Sequence, residues 1–478
     1  MRDFGRFKSS ILDLLNWEVR STLLYYEDCM KDKLVEMLNL KPEEVKLAFS
    51  LWLLIAVNTL VLELSDVVAT AGFVSNVGVY RIPWLWIVTT LITIFAAGGY
   101  LVVVDRYPRL HLVLGLLVGL AVVYLLLEFL FAFKAPDWLT YPALYLLADQ
   151  QFMIMPLAFW ALASDVFATS ESKRIFPFIA SGGVIGGLTG NAAAGLVTYL
   201  AERYSFGLSQ IFTAVAMVLI FNAAFLYLNF SKVTLKTRQS REEDVGIREA
   251  IGVGADYFLN VPMLKAVGVL MLFTGFMLTL LEFNFLVMIN KSVSNNFEFQ
   301  RFLGYYKAAQ TAGLLIFQWL ITSRLLTKIP LKNAFTVLPT AMFAASGLAL
   351  GVPSLLGVAS ARFIARTVYN GWDDPARKAV QGLIPDERRG RISAFMDSYF
   401  ITTSTVLGCI VLIILLSLVS TGMITMQIAT WIYLGLAAGT SLIGIGASIY
   451  LRRVYDTSLL NYRLARSKRK SALDGIEF

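Results

Sequence analysis

Charge, cysteine and histidine are all scarce in this chain. Only 15% of its 478 residues are Asp, Glu, Lys or Arg, against roughly 25% in an average soluble domain. A chain that is 57% hydrophobic has too little polar surface to cover a globule in water. Lipid is the solvent that its composition fits. One histidine, His111, and two cysteines, Cys29 and Cys409, cannot build a Cys/His metal cluster or a disulfide framework. No metal and no cofactor is expected. There is no nucleophile–histidine pair and no dinucleotide fingerprint, so the sequence does not read as an enzyme. The first 45 residues contain no apolar h-region, so no cleavable signal peptide is expected.

What the chain has in quantity is long apolar runs. Twelve are long enough to span a bilayer, near 47–70, 83–104, 109–133, 139–166, 175–201, 208–230, 262–290, 302–323, 331–351, 354–380, 390–419 and 427–451. They predict an all-α integral membrane protein of about twelve transmembrane helices. The net charge of +8 then reads as topology and not as a nucleic-acid surface. With the N-terminus inside, the inside loops carry Arg106 and Arg109, then Lys173 and Arg174, then a central group from Lys232 to Arg248. Arg324, Lys328 and Lys332 follow, then Arg388, Arg389 and Arg391, and a tail with Arg463, Arg466, Lys468, Arg469 and Lys470. The outside loops carry only Arg81, Lys134, Arg203 and a few basic residues near 291–301. The alternation predicts a multi-pass protein with both termini cytoplasmic; a bacterial inner membrane is the expected location.

These runs set the domain plan. Residues 1–45 are expected to form interfacial or solvated helices, with Leu12, Leu15, Val19 and Leu23 at helical spacing. Two six-helix halves, 46–230 and 261–453, flank a polar linker over 231–260 with a short amphipathic stretch at 245–258, and 454–478 is a basic tail. The halves echo one another. Glu63 and Glu282 are 219 residues apart, Arg106 and Arg324 are 218 apart, and Glu171 and Glu387 are 216 apart, each pair at the same place in the topology. This argues for a duplicated, pseudo-symmetric bundle. Gly98-Gly99 followed by Asp105-Arg106-Tyr-Pro-Arg109 resembles the loop signature of the major facilitator superfamily. There the glycine lets helices approach, and the charges latch one side of the molecule.

A charge at the bilayer centre costs about 2.5–3.5 kcal/mol, so it faces a cavity or a partner. Candidates are Glu63, Asp66, Asp149 with Gln150 and Gln151, Asp165, Lys265, Glu282, Lys307, Asp397, and a dense set on the tenth helix. There Arg362, Arg366 and Tyr369 share one face at i, i+4 and i+7, and Asp373 and Arg377 extend it beside Asp374 and Lys378. Two readings stand side by side: a basic, aromatic stripe for an anionic ligand, or a buried ion-pair ladder that locks helices. The fifth helix carries Gly182, Gly183, Gly186, Gly187 and Gly190. Small-xxx-small spacing predicts close helix packing. A phosphate cradle is the lesser reading, because no strand precedes it and no Gly-Lys-Ser/Thr follows.

Phe159-Trp160, Asp165 and Lys173-Arg174-Ile-Phe-Pro177 resemble the ATP/ADP translocase family, the nucleotide transporters of plastids and intracellular bacterial parasites. Further matches occur in the same order: Ser65-Asp66-Val-Val-Ala-Thr70, Leu281-Glu282, Asp374-Pro375-Ala-Arg377-Lys378, Ile384-Pro385 and Gly390-Arg391. The resemblance spans about residues 60–400. It implies a twelve-helix major facilitator-type fold with a central nucleotide site, its transport residues falling on Ser65, Asp165, Glu282 and Arg391. Ser65 stands where the family has lysine, and Asp165 where it has glutamate. A relative with a different anionic cargo fits these departures.

The first expectation is therefore a secondary transporter for an anionic solute such as a nucleotide, working by alternating access. Its site would be drawn from Ser65, Asp66, Asp165, Glu282, Arg362, Arg366, Tyr369, Arg377 and Arg391. Asp105, Arg106, Lys173 and Arg174 would form a cytoplasmic gate. Exchange (antiport) and proton coupling through Glu63, Asp66 or Glu282 are both open. The second expectation is a transporter-derived scaffold that moves nothing and binds other membrane proteins through a filled interior. Lipid is a partner in either case, and nucleic acid in neither.

Overall fold

The computed structural model describes residues 41–104, 107–167, 169–204, 210–231, 261–293, 295–326, 328–381 and 396–473. The expected N-terminal helices within 1–40, nearly all of the 231–260 linker, and Asp105, Arg106 and Arg391 lie outside them.

Among the described residues, twelve long helices make up the bundle. They are α1 (Pro42–Gly72), α2 (Ile82–Val104), α3 (Arg109–Ala132), α4 (Asp137–Val166), α5 (Thr169–Tyr204) and α6 (Gln210–Phe230). The second set is α7 (Pro262–Ser292), α8 (Asn296–Phe317), α9 (Val337–Gly351), α10 (Leu355–Val368, then a π turn Tyr369–Asp373 and Asp374–Gln381), α11 (Ile401–Ser420) and α12 (Met426–Leu473). Nine helical stretches among the described residues are long and apolar enough to cross a membrane, one of them, Glu44–Ala96, running through both α1 and most of α2. The helices α8 and α10 fall outside that set because they carry the charges. The outer faces expose Phe95, Phe129, Phe221, Leu228 and Trp319, side chains that lipid covers.

Several boundaries differ from the hydropathy reading for local reasons. Helix α8 starts at Asn296, six residues before the apolar run, because the Asn295 side chain caps it by accepting from Glu298 N at 2.8 Å. No open loop joins α1 to α2. The chain continues through a π turn, Phe73–Gly78, and a 3-10 turn, Val79–Arg81. The reversal is made at Gly78, whose φ of 112° suits only glycine. Helix α12 runs unbroken to Leu473, since neither glycine nor proline interrupts 447–473.

In the first six helices, the first half, α1 is central, lying against α4, α5 and α6; in the last six, the second half, α7 holds the same place against α10, α11 and α12, and α8 packs mainly across onto α5 and α1. Lipid gives little hydrophobic drive for helix association, so close backbone approach matters more. A Cβ at Gly182, Gly186 or Gly190 would strike the backbone at Trp52, Ala56 or Leu60 on α1. The glycine stripe of α5 is thus filled by another helix, which is the packing reading. Buried polar pins add to it. Tyr124 donates to Gln151 Oε1 at 2.8 Å, and Gln151 donates to Asn58 Oδ1 at 2.9 Å, tying α3, α4 and α1. Tyr433 donates to Asn284 Oδ1 at 2.8 Å in the other half.

One side of the bundle holds the start of α1 and the late turns of α12; this is the terminus side, and the other is the far side. On the far side α5 crosses α8 closely, with Gly304 against Asn191 O and Gly195 N. Arg301 pairs there with Glu202 at 3.3 Å. Nearer the middle, Lys307 of α8 pairs with Asp66 of α1 and stands 3.9 Å from Glu63. The α1–α2 turn also packs against α7 and α8. These contacts close the far side between the halves.

Candidate functional site

A cavity of about 250 Å³ lies between the halves. Helices α2 and α4 supply Trp86, Thr89, Thr90, Tyr145 and Asp149; α7, α10 and α11 supply Gly275, Thr279, Glu282, Arg366, Tyr369 and Thr405, among others. Each wall is fixed by bonds behind it. The Trp86 indole donates to the Tyr145 hydroxyl at 2.8 Å. Thr93 donates to Asp149 Oδ2 at 3.0 Å and accepts from Gln150 at 2.9 Å. One wall therefore presents an aromatic face and a carboxylate held in one rotamer.

The opposite wall is a layered charge cluster. Arg362 forks Glu282, with Nε to Oε2 at 2.8 Å and Nη2 to Oε1 at 2.9 Å, and its Nη1 donates to Gln310 Oε1 at 2.9 Å. Its guanidinium also lies over the rings of Phe285 and Tyr306, at 4.5 and 5.1 Å. This places Arg362 in a bidentate, stacked and nearly dry pocket, with 6% of its side chain exposed. Arg366, one turn on, gives Glu282 Oε2 a single bond of 3.1 Å and keeps 35% of its side chain exposed. Glu282 is thus shared, and Arg366 is the cation that faces the cavity. Chemically, the wall offers a half-neutralised guanidinium that an incoming anion can take over from Glu282.

The tenth helix does not carry one continuous stripe. The π turn Tyr369–Asp373 adds a residue to the turn and rotates the residues beyond it. Tyr369 stays in the cavity wall, while Asp373 and Arg377 turn inward. Arg377 binds Asp373 at 3.0 Å and Asp374 at 2.9 Å, and lies 5.4 Å from the Tyr369 ring centroid. Trp372 of the same turn donates to Ala334 O at 2.9 Å. The helix is therefore divided: Arg366 and Tyr369 line the cavity, Arg362 is buried behind it on Glu282, and Asp373 and Arg377 form an ion-pair ladder beyond the turn.

Other expected site residues lie elsewhere. Ser65 is fully buried beside Tyr124. Asp66 is tied to Lys307 at the α1–α8 contact. Asp165 is away from the cavity, at the terminus side, where Arg109 holds it at 2.8 Å and also donates to Ala161 O. It sits there because the last turn of α4 meets the first turn of α3. Arg174 grips Glu44 with bonds of 2.7 and 2.8 Å, joining α5 to α1 within the first half. Lys173 falls early in α5, but its side chain lies outside the described residues, as do Asp105, Arg106 and Arg391. Sequence reasoning missed Trp86, Thr89, Thr90, Tyr145, Thr279 and Thr405, which are ordinary membrane-helix residues. The signal that was available is the aromatic and hydroxyl content of α2, one helix turn apart.

Solved structures resemble this fold over most of its length. The nucleoside transporter NupG has a TM-score of 0.59 at 11% identity, over 82% of this chain and 98% of its own. A bacterial homologue of the iron transporter ferroportin, in an inward-facing state, has 0.57 at 12% identity, over 86% and 99%. The POT family transporter PepTSo has 0.57 at 13% identity, over 84% and 98%. No protein-family model matches the chain, and no curated protein does. At such identities the likeness speaks for the fold alone: an all-α bundle of the major facilitator type.

Proposed function

We propose that this chain is a secondary active transporter that works by alternating access and carries a small solute with an anionic group. One observation carries the reading: at mid-bundle, between the two halves, Arg366 faces a cavity while Arg362 occupies the shared counter-ion, Glu282. The anion would seat on Arg366, and Asp149 and the hydroxyls of Thr89, Thr90 and Thr405 would meet its polar atoms. Trp86, Tyr145 and Tyr369 suit a flat ring. At about 250 Å³ the cavity lies just below the usual range of roughly 300–1,000 Å³ for ligand sites. That favours a monophosphate or carboxylate over a di- or triphosphate, and so a relative of the nucleotide translocases with a smaller cargo. The terminus side would be cytoplasmic, and the halves would rock about the cavity.

A non-transporting scaffold calls for a filled interior; an open, polar, charged cavity between halves speaks against it. The test is uptake of labelled nucleoside monophosphates and small carboxylates into sealed liposomes. Wild type should take up one class saturably, and Arg366→Ala and Glu282→Gln should lose it. Uptake of none, with no binding by the purified protein, would overturn the reading.

A further inference from the structure

The first half contributes one charge to the cavity, and that charge lacks a counter-ion. Asp149 lies midway along α4, in the wall. Its Oδ2 accepts from the Thr93 hydroxyl at 3.0 Å and from Gln150 Nε2 at 3.4 Å. Both donors are neutral. No lysine, arginine or histidine pairs with Asp149 among the described residues, and its Oδ1 accepts from none of them. The charge that acts on it is that of a second acid, Asp66. By contrast, Glu282 has Arg362 and Arg366, and Glu63 and Asp66 share Lys307. A carboxylate inside a membrane bundle is costly without a cation.

The surroundings of Asp149 suit one. Tyr145 precedes it by one turn, on the same face of α4, and the Trp86 indole donates to the Tyr145 hydroxyl at 2.8 Å. Both rings line the cavity with Asp149. Aromatic faces beside a carboxylate attract an alkylammonium through ring quadrupole and charge together. The opposite wall has the opposite sign, in Arg366 of α10. Two carboxylates, Asp149 and Glu282, stand against two guanidiniums, Arg366 and the Arg362 behind it. The cavity is thus balanced in charge but polar from wall to wall. An anion alone would neutralise Arg366, displace water and leave Asp149 bare. An amine alone would leave Arg366 with no partner but the shared Glu282. A molecule with one charge of each sign satisfies both walls.

We propose that the cargo is a small zwitterion carrying an ammonium and a carboxylate, the chemistry of a free amino acid. Its ammonium donates to Asp149 beside Trp86 and Tyr145, and its carboxylate accepts from Arg366. Leu278 of α7 and Ile401 of α11, also in the wall, receive its apolar part. The proposal rests on the transporter reading and names its substrate class: among small anionic solutes, it selects carboxylates that also bear an amine. Asp149 belongs to the first half and Arg366 to the second, so a ligand with both ends joins the halves across the cavity.

The test is binding by the full chain in lipid nanodiscs, read by calorimetry, with two amino acids of different charge spacing. Phenylalanine is compared with phenylpropanoate and phenethylamine, and δ-aminovalerate with valerate and pentylamine. Wild type should bind at least one of the two amino acids about ten- to a hundredfold more tightly than either of its one-charge analogues, the worth of one hydrogen bond to a charged group. Asp149→Asn should erase the preference over the carboxylate analogue, and Arg366→Ala the preference over the amine. The wild-type comparison needs no variant, so it decides the matter even where a variant does not fold. Binding of neither amino acid would overturn the proposal. So would a carboxylate analogue or a nucleoside monophosphate bound as tightly as the amino acid, or a wild-type preference retained in Asp149→Asn. A chain that binds amino acids with this preference but takes up no solute into sealed liposomes would refute the transport reading and leave this site standing. A chain that takes up carboxylates without regard to the amine would do the reverse.

Discussion

Arg362 and Arg366 share one carboxylate yet should behave as different kinds of residue. Arg362 is 6% exposed and forked to Glu282. Removing Glu282 strands its charge in a dry pocket, a loss of about 3–5 kcal/mol for a buried pair broken from one side. Every 1.4 kcal/mol is about tenfold, so Glu282→Gln should lower the folded-to-unfolded ratio more than a hundredfold. Replacing both charges, Glu282→Gln with Arg362→Met, leaves no stranded ion and should recover most of that loss. Arg366 is 35% exposed and holds Glu282 by one bond, so Arg366→Ala should cost within about 1 kcal/mol. Unfolding in mixed micelles by a graded denaturing detergent reads all five proteins: wild type, the two singles Glu282→Gln and Arg362→Met, their double, and Arg366→Ala. A double variant as unstable as the summed singles would refute the reasoning, since it would mean that the pair is not coupled. An Arg366→Ala protein as unstable as Glu282→Gln would refute the division of labour between the two arginines.

Gly186→Leu should push α5 off the Ala56 backbone and cost about 1–3 kcal/mol or prevent assembly; Gly183→Ala, whose Cβ would sit 3.5 Å from Ile55, should be tolerated, as the yield of monodisperse protein would report. Arg301→Glu should weaken far-side closure against Glu202, by no more than about 1 kcal/mol for so exposed a pair, and adding Glu202→Lys should restore it, read by the distance between spin labels at Tyr204→Cys and Lys291→Cys, both exposed on the far side. Asp165→Asn loses a charge-assisted bond to Arg109 and should cost about 1–3 kcal/mol of stability, while leaving the half-saturation of transport unchanged.

The helices were legible because apolar runs and loop charge are local signals. Most run ends lie within a few residues of a helix end; the larger departures are the starts of α5, α8, α9 and α11 and the end of α12, and at α8 polar first turns, from Asn296 to Arg301, hide the start from hydropathy. The candidate site was legible in part, because Glu282, Arg362 and Arg366 are costly residues for a bilayer and stand out for that reason, and Tyr369 falls on the same helix face. Their sharing of one carboxylate was not, since it depends on α7 meeting α10 across 80 residues of chain. The π turn at Tyr369 has no sequence mark, so the stripe on α10 read as longer than it is. Lys307 and Asp66, 241 residues apart, each read as an isolated charge; only the crossing of α1 and α8 makes them a pair. Asp165 was read through a family resemblance, and a motif position carries no information about which neighbour the side chain will find.

The account turns on a cavity between the halves that is reached from each side in turn. Thr405 lines that cavity, so Thr405→Cys, with Cys29 and Cys409 replaced by serine, reports on it directly. In sealed vesicles of known orientation, a membrane-impermeant thiol reagent should modify Thr405→Cys from the terminus side. Adding Lys307→Met, which unlocks α8 from α1, should make the same position reactive from the far side. A cysteine that reacts from neither side, or from the terminus side alone in both proteins, would contradict alternating access.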